Sequence, residues 1–462
     1  MFSTTNQGFL HAFDASRPNA ENSNGQDGAN ELFAFMPGEL LDNLHEIFTG
    51  VTTKEHIYGL DGPSTVWHTD TNSNGVVDNN EEALLIFGMR RGGNSYYAMD
   101  ISNPENPQLK WQIKGGQGEF ADLAQTWSRA SLISVERGGN GNSEQVLVFG
   151  GGYDDALDDL NKKQASSGNA IFMVDRDGDL IWKGTHPDMD YAIPSNITTL
   201  DTNTDGMADR LYFGDHGGQV WRVDFGNVNQ SGEFEIHKMA DLGKNKHQPF
   251  FYAPSVAFHA LSSQKYLTVS IGSGNRDNPM DSTTSNAFFV LQDSPINNQQ
   301  TAHFPLERND LYDATFNDLG ANSQEIVDTA TEALNNASGW FIDLLPGEKS
   351  LSELATFNGN LLATTFQPDL NPPEDVCALP GTLGRFYMLD VTNGKPVTHL
   401  GQADDSVPLN KNHRSNIIST NGIPSSPQIV FPQGDNVKIL VDKELVGEID
   451  QELDRIYWFA EQ

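Results

Sequence analysis

Cysteine is almost missing from this chain: one residue, Cys377, in 462. A single thiol excludes an intrachain disulfide framework and any multi-cysteine metal site, and leaves the redox compartment open. Basic residues are scarce as well. There are 28 Lys and Arg against 63 Asp and Glu, a formal net charge of −35. Such a field repels nucleic-acid phosphates and anionic membrane surfaces and favours cations. The acidic residues are scattered and aromatics make up 10%, so the chain does not read as a disordered acidic tail. No apolar run approaches the ~20 residues of a membrane-spanning helix. No signal peptide opens the chain. Residues Phe2 to Gly8 already read as strand and turn, as in a domain cut from a larger protein.

Catalytic motifs are missing too. There is no G-x-S-x-G elbow, no P-loop and no H-E-x-x-H. The 12 histidines are dispersed. His216, beside Asp215, reads as a turn-stabilising residue. The glycine clusters Gly150–Gly152 and Gly217–Gly218 read as strand-end turns, and Asp175–Asp179 as a short acidic hairpin. An enzyme is not expected.

What is present is a pair of oxygen-rich loops. Asp201-Thr202-Asn203-Thr204-Asp205-Gly206-Met207-Ala208-Asp209 places oxygen donors at alternate positions. A hard cation takes six to eight oxygens, and this spacing turns them inward. Asp201, Asn203, Asp205 and Asp209 would supply side chains and Met207 its carbonyl, with Gly206 allowing the turn. Asp70, Asn72, Asn74, Val76 and Asp78 repeat the pattern. Glu81 stands at the twelfth position, where the helical EF-hand puts its bidentate carboxylate. The sequence around Glu81 is strand-like, so that parallel is loose. Calcium is the expected ion for both loops, 70–81 and 201–209. The alternative is an Asp/Asn/Gly hairpin turn without an ion.

The loops sit at matching places in an internal repeat. A strand ending in Asp recurs at Phe9–Asp14, Tyr96–Asp100, Ile171–Asp175, Val220–Asp224 and Phe386–Asp390, with a degenerate copy at Phe288–Gln292. Aromatic and β-branched residues dominate each copy, as half-buried strands require. A Gly-ended strand usually precedes, and before it a small-residue strand opened by Pro-Ser or Ser-Arg. Four antiparallel strands per unit, repeated, predict an all-β fold, a β-propeller over 1–462 as one domain. Six copies and strand-rich ends suggest seven blades, with six or eight also compatible. Arg455–Phe459 would pair beside the first blade. The segment from about 309 to 336 is more helical and reads as an insertion between blades. The tryptophans fall mostly in strands, which suits blade packing better than a cofactor stack.

The run DTNTDGMADRLYFGDHGGQVWRVDF, Asp201 to Phe225, resembles the C-terminal β-propeller of PilY1-type proteins. Those are type IV pilus biogenesis factors and tip-associated adhesins. Further matches are Gly8–Ala15, Tyr58–Gly62, Arg90–Ser102, Thr126–Ala130, Phe149–Asp154 and Gly339–Leu344. The resemblance implies a modified seven-bladed propeller with Ca²⁺ at 201–209. It implies promotion of pilus extension against retraction, twitching motility, surface attachment, pilins or minor pilins as partners, and a place on the bacterial cell surface. It implies neither nucleic-acid binding nor membrane insertion. The chain departs from the family in three ways: the loop at 70–81 is additional, no Arg-Gly-Asp triplet occurs, and the N-terminal half is not included. Two rivals remain. One is an adhesin- or lectin-like propeller with purely structural calcium. The other is a quinone-dependent dehydrogenase propeller, disfavoured because its adjacent cysteine pair cannot be made from one cysteine.

Overall fold

The computed structural model describes residues 1–14, 30–49, 57–78, 80–136, 143–158, 164–225, 234–244, 246–261, 264–293, 303–369, 381–400, 407–419, 422–432 and 436–449. Cys377 and the expected strand Arg455–Phe459 lie outside them. The chain divides into two units, one of Met1–Gly243 with Thr301–Pro305, the other of Lys244–Gln300 with Leu306–Gln462.

The first unit holds four antiparallel sheets, each built from consecutive strands. The first is Phe2–Thr4, Leu10–Phe13 and Glu31–Phe35. The second is Ser64–His68, Ala83–Gly88, Ser95–Asp100 and Gln108–Lys114. Ser131–Glu136, Ser143–Gly150, Ile171–Val174 and Leu180–Gly184 make the third. The fourth contains Thr198–Leu200, Arg210–Gly214, Gln219–Phe225 and Phe234–Asp241. The Gly-ended strands read in the sequence are the second strands, and the Asp-ended ones are the third, except in the three-stranded first sheet.

Sheets stack face to face, and this explains why the second strands carry apolar runs, such as Ala83–Phe87 and Val146–Phe149, instead of alternating. Side chains in a strand point to opposite faces in turn. Leu84 and Ile86 pack with Leu147 and Phe149 of the third sheet. Leu85 and Phe87, one residue out of phase, pack with Leu10 of the first sheet. Val146 and Val148 turn the other way, onto Leu211 and Phe213 of the fourth sheet. Each middle strand therefore has two apolar faces, whereas the fourth strand of the second sheet is exposed at most positions.

The second unit repeats the design. Ser255–Leu261, Gln264–Gly272, Ala287–Asp293 and Gly339–Asp343 are antiparallel neighbours, and Tyr312–Asp313 adds a short parallel strand beside the last. Ala355–Phe357, Asn360–Pro368, Thr382–Asp390 and Ser415–Ile418 follow, then Gln428–Val430, Val437–Val441 and Glu444–Ile449. The helix Gln324–Asn335 lies in the connection between Ala287–Asp293 and Gly339–Asp343, two strands paired in one sheet. The insertion thus falls inside a blade, not between blades. Ala330 and Leu334 hold it by packing into a cluster with Trp340 and Leu389. Local helix propensity marked the insertion, but the pairing of its flanking strands is long-range and leaves no local signal.

Candidate calcium loops

Each acidic loop joins the first two strands of a sheet. The first connects Ser64–His68 to Ala83–Gly88, and the second connects Thr198–Leu200 to Arg210–Gly214. The loops fold alike. The opening aspartate accepts from the glycine five residues on: Gly75 N–H donates to Asp70 Oδ2 at 2.7 Å, and Gly206 N–H to Asp201 Oδ2 at 2.8 Å. Asn74 N–H donates to Asn72 Oδ1 at 3.0 Å, and Asp205 N–H to Asn203 Oδ1 at 2.8 Å. Val76 N–H and Met207 N–H donate to Asn74 Oδ1 and Asp205 Oδ1, at 2.7 and 2.8 Å. Two left-handed residues shape each loop, Ser73 with Gly75 and Thr204 with Gly206, at φ of 58°, 73°, 62° and 85°. A Cβ on either glycine meets nothing within 4 Å, so glycine is needed there for its backbone conformation and not for space.

The closing residue differs in a way the spacing concealed. Asp209 Oδ2 accepts from Thr202 N–H at 2.6 Å and from Thr202 Oγ1 at 2.5 Å. In the other loop Glu81 does this work, its Oε1 accepting from Thr71 N–H and Thr71 Oγ1, both at 2.7 Å. Glu81 Oε2 also accepts from Asp78 N–H at 3.1 Å and lies 3.4 Å from His68 Nε2. The hydroxyl of Thr71, then backbone N–H donors, hold the Glu81 carboxyl down at about 2, and the Gly75 N–H lowers that of Asp70. Asp78 instead accepts from the amides of Asn72 and Asn74, at 2.7 and 3.0 Å.

The donor set is all oxygen and mostly anionic, which suits a hard cation such as Ca²⁺. Asn203 Nδ2 donates to Asp205 Oδ2 at 3.0 Å and Asp209 Oδ1 at 3.5 Å, so the two carboxylates share one positive pole. Among the described residues no three Asp, Glu, His or Cys groups are placed to hold a metal ion. Ion binding therefore requires the loop carboxylates to trade hydrogen bonds for metal bonds. The loop ends are anchored: Asp209 N–H donates to Leu200 O, Phe225 N–H to Asp209 O, and Ala208 N–H to Ser134 O of the neighbouring sheet.

Next to the second loop lie charged groups whose pairing the sequence reading did not anticipate. Asp224 is buried, with Arg222 Nε and Nη2 donating to its Oδ2 at 3.0 and 2.7 Å and Arg210 Nε 3.0 Å from its Oδ1. The signal was there: Arg222 and Asp224 stand two apart in an apolar strand and so share a face. Asp215 is also buried. Its carboxylate accepts from Gly217 and Gln219 N–H, both at 2.9 Å, and from Trp221 Nε1 at 2.8 Å. His216 packs edge-on to Tyr153 and donates its backbone N–H to Ala192 O, a turn position as expected.

Burial pushes the Asp215 carboxyl up to about 7, against the N–H donors that favour its charged form. The folded protein thus binds more protons here than the unfolded chain between about pH 4 and pH 7, so stability falls as pH rises through that window. Urea-unfolding free energies at about pH 5 and pH 7.5 should differ by about 2–3 kcal/mol more in the parent than in Asp215→Asn. Equal differences would remove Asp215 as the source.

Among the described residues no helix is long and apolar enough to cross a membrane. Residues 1–245 match the family model for the PilY1 beta-propeller domain. A type IV pilus biogenesis factor PilY1 of Pseudomonas aeruginosa PAO1 is 25% identical over 446 residues, covering 84% of this chain. A PilY1 homolog of Xylella fastidiosa is 24% identical over 390 residues, covering 82% of this chain. The chain spans only 34% and 28% of those two relatives. The crystal structure of the Pseudomonas aeruginosa PilY1 C-terminal domain superposes with a TM-score of 0.65 at 18% identity, covering 97% of this chain and 92% of that one. Successive antiparallel sheets of mostly four strands, together with that superposition, define a β-propeller. The chain belongs to the PilY1 β-propeller family.

Proposed function

We propose that this propeller is the calcium-binding domain of a type IV pilus biogenesis and adhesion protein. In this reading it acts on the cell surface or pilus tip, binds pilins or minor pilins, promotes pilus extension against retraction, and supports twitching and attachment. Family membership supports the pilus assignment, and the relatives named as pilus biogenesis factors carry it to this chain. The observation that carries the calcium reading is the matched hydrogen-bond pattern of the two loops, built independently in two sheets from the same D-x-N-x-[DN]-G spacing.

Asp201, Asn203, Asp205, Met207 and Asp209 would hold one ion, and Asp70, Asn72, Asn74, Val76, Asp78 and Glu81 the other. A bound ion supplies positive charge where carboxylates otherwise repel, and so locks the hairpin. Thr202 and Thr71 keep the closing carboxylates turned into the loops. Calcium titration calorimetry on the chelator-treated chain tests this. Two sites are expected, one lost in Asp209→Ala and the other in Glu81→Ala. Absence of binding at millimolar calcium would sink the reading.

A further inference from the structure

Four segments that the calcium loops leave unused come together in space. They are the stretches around Tyr58, Arg90–Asn94, Gln125–Trp127 and Tyr153–Asp158. Arg91 lies over the rings of Tyr58, Trp127 and Tyr153, with its guanidinium carbon 5.2, 5.6 and 5.6 Å from their centroids, and its Nη1 donates to Asp158 Oδ2 at 3.2 Å. Tyr153 OH donates to Asp158 Oδ1 at 2.7 Å. Arg90 takes a left-handed backbone at φ 55° and stacks its guanidinium 4.6 Å from the Trp127 centroid. A left-handed backbone at a non-glycine residue is sustained only where the surroundings fix it, and Tyr153 of this cluster also lines a cavity.

That cavity has a volume of about 310 Å³, and Asn94, Gln125, Tyr153, Asp155 and Ser167 are in its lining. Its polar side chains have unused capacity. The side chains of Asn94, Asp155 and Ser167 make no hydrogen bond among the described residues, and Gln125 uses only its Oε1, which accepts from Trp127 Nε1 at 3.1 Å. The amides of Asn94 and Gln125 and the Ser167 hydroxyl offer donors. Asn94 Oδ1, Ser167 Oγ and the Asp155 carboxylate offer acceptors.

Backbone groups here are already committed. Thr126 N–H donates to Gly93 O, Gly115 N–H to Asn94 O, and Gln125 and Tyr153 exchange two backbone bonds. No open strand edge is left at these residues for a peptide to extend. The Asp155 carboxylate disfavours an anion. What fits is a small neutral ligand rich in groups that both donate and accept, which is the chemistry of adjacent sugar hydroxyls. The volume is at the small end of ligand sites, about 300–1,000 Å³, so one ring is accommodated.

We infer that this cavity is a binding site for a single neutral monosaccharide unit of a glycan, held by Asn94, Gln125, Ser167 and Asp155. It shares no residue with either acidic loop, and loss of calcium binding in Asp209→Ala leaves it standing. Saturation-transfer NMR on the whole chain, with the methyl glycosides of glucose, galactose, mannose and N-acetylglucosamine as probes, tests it. At least one probe should receive saturation. Asn94→Ala should raise its Kd about tenfold, the cost of about one hydrogen bond. Ala121→Trp, at an exposed lining position, should abolish binding by filling the cavity. Unchanged circular dichroism and melting would show that both variants fold. No transfer to any of the four probes from the parent chain, or equal transfer to well-folded variants, overturns the inference.

Discussion

Asp224→Ala should lower folding stability by about 3–5 kcal/mol, the range for breaking a buried ion pair from one side. Asp224 and Arg222 are essentially sealed from water, at 1% and 0% exposure, and Arg210 is at 4%. One carboxylate serves both guanidiniums, and His237 Nε2 stands 3.4 Å from the same Oδ2. Burial alone would raise the Asp224 carboxyl, but His237, Arg222 and Arg210 bring it below the usual carboxylate range. Its removal takes the shared carboxylate away from two buried guanidiniums in low dielectric. Arg222 also lies against the Phe304 ring, 5.1 Å from its guanidinium carbon. Replacing the three together, as Arg210→Met, Arg222→Met and Asp224→Leu, should come within about 1–2 kcal/mol of the parent, because apolar groups of similar size need no partner. Urea unfolding of both variants decides the matter. A loss below about 1 kcal/mol in Asp224→Ala would mean that water reaches the cluster.

The same strand shows how far the sequence could be read. Val220, Trp221 and Val223 marked it as buried by composition, and Asp224 ended the repeat. That Arg222 and Asp224 would pair with Arg210 follows from the antiparallel register, in which Arg210 stands opposite Asp224. Register is set by long-range pairing that local pattern underdetermines. The acidic loops were legible because their interactions span nine to twelve consecutive residues. Even there, the equivalence of Glu81 with Asp209 was hidden. Thr71 and Thr202 choose the closing carboxylate by geometry, and the spacing had put Asp78 in that place. The sugar-sized cavity was not legible. Its lining comes from segments around residues 94, 125, 155 and 167, in the connections within and between the second and third sheets. No period or spacing links them.

Saturating calcium should raise the stability of the unit carrying the second loop by RT ln(1 + [L]/Kd), about 2.7 kcal/mol at a hundred times Kd and about 4.1 at a thousand. The gain reaches the fold because the loop is not a loose appendage. Its last residue is bonded on both sides, to Leu200 and Phe225, and Ala208 reaches Ser134 in the next sheet. Unfolding these strands therefore scatters Asp201, Asp205 and Asp209 and would release an ion bound there. Asp209→Ala should abolish the increment at this loop and also lose the two Thr202 bonds. Asp205→Lys separates charge from coordination. Asp205 is exposed, so a lysine can enter without burial cost and bring an ammonium toward Asp201 and Asp209. Without calcium it should gain the increment that the ion gives the parent at this loop, and it should gain nothing further from calcium at this site. Denaturant midpoints with calcium and with chelator give both numbers. If the parent shows the same midpoint in each, the loop carboxylates are balanced by hydrogen bonds alone. On the proposed pilus role, twitching of cells carrying Asp205→Lys without calcium would mean that an ion acts there by ordering the hairpin. On the same proposal, no twitching despite restored stability would mean that a bound metal, or Asp205, contacts a pilus partner.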